Sequence, residues 1–60
     1  MNEAYYNGLS NALCAAIDTG NAEEVSSVLA DAANYHDSGY ITESQFNDLN
    51  TDARVAGYDF

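Results

Sequence analysis

The chain has no lysine, no proline and no tryptophan, and only one cysteine and one arginine in 60 residues. The shortages of cysteine and of basic residues each close a class of function. One cysteine, Cys14, rules out an internal disulfide framework, and nothing supports a metal-knot scaffold. No run approaches the roughly 20 apolar residues of a membrane-spanning helix, so no membrane partner is expected. The opening Met1-Asn2-Glu3 lacks the basic and apolar regions of a signal peptide, which makes a reducing cytoplasm the expected compartment. With Arg54 as the sole base there is nothing to neutralise phosphates, and direct binding of DNA or RNA is not expected.

What the chain has is acid. Glu3, Asp18, Glu23, Glu24, Asp31, Asp37, Glu43, Asp48, Asp52 and Asp59 bring the formal charge to −9. Such a field repels nucleic acid and anionic membrane and attracts basic surfaces. The acids are spread out rather than blocked, and 47% of residues are hydrophobic, with five tyrosines and two phenylalanines. A disordered acidic tail has the opposite composition. Residues 1–60 therefore read as one folded domain with an acidic skin.

Hydrophobic periodicity predicts an all-α fold, a bundle of three short helices. The first runs from about Asn2 to Thr19, with Tyr6, Leu9, Leu13, Ala16 and Ile17 as its inner stripe, Tyr5 and Ala12 beside it, and Gly20 at its left-handed end. The second begins at Asn21 as N-cap, with Glu24 placed to return a bond to the Asn21 amide. Its stripe is Val25, Val28, Leu29, Ala32 and His36, ending near His36 or Asp37. The third carries a Thr42–Gln45 capping box and an Ile41–Phe46 staple, and then Phe46, Leu49, Ala53 and Ala56 as a stripe up to Gly57. Alanine fills many inward positions. At about 25 cal/mol per Å² such a core barely offsets chain entropy, so a second copy or a docked partner would supply the missing burial.

No arrangement of catalytic groups stands out, and the chain does not read as an enzyme. Cys14, among Leu13, Ala15, Ala16 and Ile17, reads as a small buried hydrophobe. His36, the only histidine, reads as structural at a helix end. Glu23 and Glu24 fall in a first helical turn, where the helix dipole accounts for them. Asn34 to Gln45 is similar to an EF-hand loop, with Gly39 at the turn position and Ile41 at the apolar one. Its ligand positions would be Asn34, His36, Ser38 and Gln45, where calcium requires carboxylates. No metal and no cofactor is expected.

The surface is the remaining candidate. On the second helix Glu24, Ser27 and Asp31 share an outward face, with Glu23 beside it. On the third, Asp48 and Asp52 lie one turn apart, with Gln45 extending the row. Helical neighbours at this spacing are about 5–6 Å apart, of the same order as phosphates along one nucleic-acid strand, so such rows can present a phosphate-like pattern to a basic groove. Tyrosine suits interfaces, where its ring and its hydroxyl both find partners. Tyr35, Tyr40 and Tyr58 lie near acids and complete the expected acidic-aromatic contact set. The tail Gly57-Tyr58-Asp59-Phe60 either docks on a partner or folds back over the core.

The segment Ile41 to Ala56, ITESQFNDLNTDARVA, resembles part of a small acidic phage anti-CRISPR protein that acts on a type I surveillance complex. Thr42, Glu43, Phe46, Leu49, Thr51, Val55 and Ala56 carry the resemblance, over roughly a quarter of the chain. Short, acidic, lysine-free helical proteins also resemble, as a class, phage inhibitors of nucleic-acid-handling host machinery. The resemblance implies an inhibitor in the host bacterial cytoplasm that occupies a lysine- and arginine-rich site or blocks it sterically. Its contact acids would be Glu23, Glu24, Asp31, Asp48 and Asp52. The alternative is a helical dimerisation or regulatory module, a homodimer whose acids only solvate it.

Overall fold

The computed structural model describes residues 3–58, which form three helices: α1 (Glu3–Thr19), α2 (Ala22–Asp37) and α3 (Glu43–Val55). Short links make α2 antiparallel to α1 and α3 antiparallel to α2, and every pair of helices is in contact. The body measures 31 × 18 × 16 Å. Its long dimension follows from α1, whose 17 residues extend about 25 Å at 1.5 Å per residue. The expected all-α three-helix bundle is what forms.

Local chemistry sets the helix ends. At the end of α1 the Gly20 N–H donates to the Ile17 carbonyl at 3.1 Å and the Asn21 N–H to the Ala16 carbonyl at 3.0 Å. At the end of α2 Gly39 donates to His36 at 3.1 Å and Tyr40 to Tyr35 at 2.9 Å. Gly57 and Tyr58 repeat the pattern on α3, donating to Arg54 and Ala53. These are Schellman endings, which satisfy the last carbonyls of a helix and need a left-handed residue after it. Gly20 and Gly39 supply it with φ of +71° and +81°, where a side chain would be strained.

The helix starts follow the sequence expectation with one change. On α3 the Gln45 N–H donates to Thr42 Oγ1 at 3.1 Å, and the Thr42 N–H donates to Gln45 Oε1 at 2.9 Å, a complete capping box. On α2 the Glu24 N–H donates to Asn21 Oδ1 at 3.1 Å. The Glu24 carboxylate, however, accepts from the Asn21 side-chain amide at 3.3 Å and not from the Asn21 backbone. That backbone N–H is already given to Ala16. A link this short makes one residue close α1 and open α2.

The core is Leu9, Leu13 and Ala16 of α1, Val25, Val28 and Ala32 of α2, Leu49 and Ala53 of α3, and Ile41 between the last two helices. Tyr6, Ile17, Leu29, Tyr35, Phe46 and Tyr58 pack around it. Val25, Ala32 and Leu49 are wholly enclosed. Two residues depart from expectation. Cys14 is exposed: one residue past Leu13 is a rotation of about 100°, which carries it off the inner face. Ala56 is exposed as well, because α3 ends at Val55 and the chain turns away at Ala56, its C-cap.

Candidate interaction surface

No described polar or charged residue is buried; every described acid lies at the surface. The candidate acids do not form one face. Within α2, Glu24, Asp31 and Tyr35 fall within about 40° of one another around the helix axis, at 3.6 residues per turn. Tyr35 meets Tyr5 of α1, so this row runs along the α1 side of α2. Glu23 is turned about 100° from it. On α3, Phe46 stacks on His36 of α2, with centroids 5.1 Å apart and planes within 11°. Asp48 and Asp52 lie on the flank of α3 turned away from that stack. The two acid rows therefore occupy separate sides of the bundle. Gln45 does not extend the second, since its side chain is held in the capping box.

The tyrosines divide in the same way. Tyr35 and Tyr40 come together with a third ring, Tyr5, which periodicity puts beside the α1 stripe and which is outside the expected contact set. Tyr5 and Tyr40 stack at 4.7 Å, and Tyr35 meets both edge-on at 5.5 and 5.9 Å. The Tyr35–Tyr40 contact also belongs to the Schellman ending, which pairs an apolar residue beyond the glycine with one in the last turn. Tyr58 is elsewhere. It packs against the core, with its hydroxyl 3.9 Å from where a Cβ on Gly20 would lie. Along α2 that is about 20 Å from Tyr35. Of the two expectations for the tail, Tyr58 takes the fold-back; Asp59 and Phe60 lie outside the described residues.

A signal for the missed ring was present. Tyr5 and Tyr35 stand equally far from Gly20 along the chain, so an antiparallel α1–α2 pair brings them level. Periodicity read within one helix at a time cannot show that.

Cys14 is on the exposed surface of α1, while the His36 ring is stacked on Phe46. No pocket opens, and no group of three or more His, Cys, Asp or Glu side chains gathers among the described residues. The stretch resembling an EF-hand is the last turn of α2, a Schellman turn and the cap of α3. Among the described residues no helix is long and apolar enough to cross a membrane. Comparison with known proteins returns no matching family model, no matching curated protein and no matching solved structure.

Proposed function

We propose that this chain is a non-catalytic inhibitor that covers a basic, nucleic-acid-binding surface of a host defence protein, as the phage inhibitors it resembles do. One observation carries the reading: Glu24, Asp31 and Tyr35 run in line along α2 and end in an aromatic cluster whose outer rings are exposed. Carboxylates spaced along a rigid helix present fixed negative charge to a basic groove, and aromatic rings add a desolvated anchor at one end. The Asp48–Asp52 row, on another side, adds long-range attraction without sharing the contact. A skin with ten acids and a single arginine speeds encounter with a basic target.

The test is a pull-down from nuclease-treated bacterial lysate, washed at rising salt, followed by a nucleic-acid binding assay on whatever is captured. Contacts between exposed charges weaken as the screening length falls from about 30 Å at 0.01 M salt to 8 Å at 0.15 M. The expected capture is a basic protein that elutes with salt and whose nucleic-acid binding is competed by this chain. Reversing Glu24 and Asp31 to lysine should abolish capture, while reversing Asp48 and Asp52 should retain most of it. Capture unaffected by the first pair, or no competition with nucleic acid, rules the reading out. Self-association, the alternative, would show as concentration-dependent sedimentation of the chain alone.

A further inference from the structure

Two of the three clustered rings stand outside the core. Tyr5 and Tyr40 are 39% and 46% exposed, and neither belongs to the set of side chains packed against the core. Tyr35 does belong to it, and it meets both outer rings edge-on. The backbone holds the outer pair in place, Tyr5 on the first turns of α1 and Tyr40 through its N–H bond to Tyr35. At about 200 Å² per tyrosine side chain, the pair leaves roughly 170 Å² exposed. That falls far short of the roughly 800 Å² that each partner gives to a stable interface. It is the size of an anchor for one or two partner side chains.

We infer that the Tyr5–Tyr40 pair receives an arginine side chain of a basic partner protein. The charge around the rings selects a cation. Asp31, exposed, lies one turn before Tyr35 on the same flank of α2, and ten acids against one base give the chain a formal charge of −9. The chain's own Arg54 lies in the last turn of α3, at the opposite end of the bundle. The rings select the kind of cation. A guanidinium is planar and weakly hydrated and stacks on aromatic faces, whereas an ammonium is a compact, strongly hydrated point charge. The inference rests on the basic-surface reading and adds to it that the partner is read through arginine in preference to lysine.

The experiment titrates the protein with an oligo-arginine and an oligo-lysine peptide of equal length, following tyrosine ring resonances by NMR at two salt concentrations. The expected result is an affinity about two- to fivefold higher for the arginine peptide, with the Tyr5 and Tyr40 rings shifting most. In a Tyr5→Leu, Tyr40→Leu variant the two peptides should bind alike. Equal affinity of the wild type for both peptides overturns the arginine site but leaves the acid-row reading standing. No binding of either peptide overturns both. An arginine preference that survives in the double variant, with unchanged helicity, overturns this location for it. If the double variant loses helicity, the wild-type spectra decide, and shifts confined to Tyr6 and Tyr58 overturn the site. A neutral oligo-proline peptide that shifts the same rings as strongly would show that charge is not what they select, and would overturn the inference too.

Discussion

After the glycine that ends α1 comes Asn21; after the glycine that ends α2 comes Tyr40. The two backbones are alike up to that point, with φ of +71° and +81° at the glycines and the same pair of closing hydrogen bonds. The difference lies in the next side chain. Asn21 turns its amide onto Glu24 and caps α2 at once, so the link is closed in two residues. Tyr40 turns its ring onto Tyr5, and α3 needs a separate cap at Thr42, with buried Ile41 between. One end of the bundle is thereby a sealed joint and the other an exposed aromatic surface. A single position past a helix terminus decides whether a turn is closed by a cap or leaves an aromatic ring at the surface.

Replacing either turn glycine tests whether the two joints share one conformational requirement. Gly20→Ala and Gly39→Ala are each expected to cost about 1–2 kcal/mol, the penalty of a left-handed backbone with a side chain. Space is not the obstacle, since a Cβ at Gly20 meets only Tyr58 Oη at 3.9 Å and one at Gly39 meets nothing within 4 Å. Urea melts should give closely similar costs, since the two glycines hold nearly the same left-handed φ. A much larger loss at Gly20 would mean that Tyr58 holds that joint more tightly than the cap chemistry implies.

Removing the caps separates the joints. Asn21→Ala loses both side-chain bonds to Glu24, whereas Thr42→Ala leaves the Thr42 N–H still donating to Gln45. Each should cost about 1 kcal/mol, with Asn21 the more expensive, and at this chain length a kcal/mol moves the melting temperature by about 4–8 °C. A Thr42 variant that melts lower than the Asn21 variant would reverse the ranking and make the open end the better-capped one.

The smallest effect has the opposite sign and calibrates the others. Gly8 lies inside α1, is exposed, and a Cβ there would meet nothing within 4 Å. Gly8→Ala should stabilise by about 0.5–1 kcal/mol, because helix propensity favours alanine and nothing opposes it. A fall in melting temperature on that substitution would show that helix propensity does not govern this position.

Much of this was legible in the residues. Thr42 and Gln45 announce a capping box because both its bonds lie within four residues. Gly20 and Gly39 announce helix ends because only glycine takes the left-handed turn at little cost. The acid rows follow from helical spacing, and the structure leaves every described acid at the surface. Cys14 was misread because its neighbours in sequence are apolar, although its neighbours in space are not set by them. The return bond of Glu24 was assigned to an amide that the end of α1 had already taken.

Three helices, their ends and the sign of the surface were already present in the residues, because caps, glycines and periodicity act over a few residues and need no partner. Tertiary structure decided which side chains from different helices meet. It stacked Tyr5 on Tyr40, held Tyr58 at the other end and put the two acid rows on separate flanks. Those outcomes depend on how antiparallel helices rotate to bury Leu13, Val25 and Leu49 together, a condition on the whole chain that no local pattern contains.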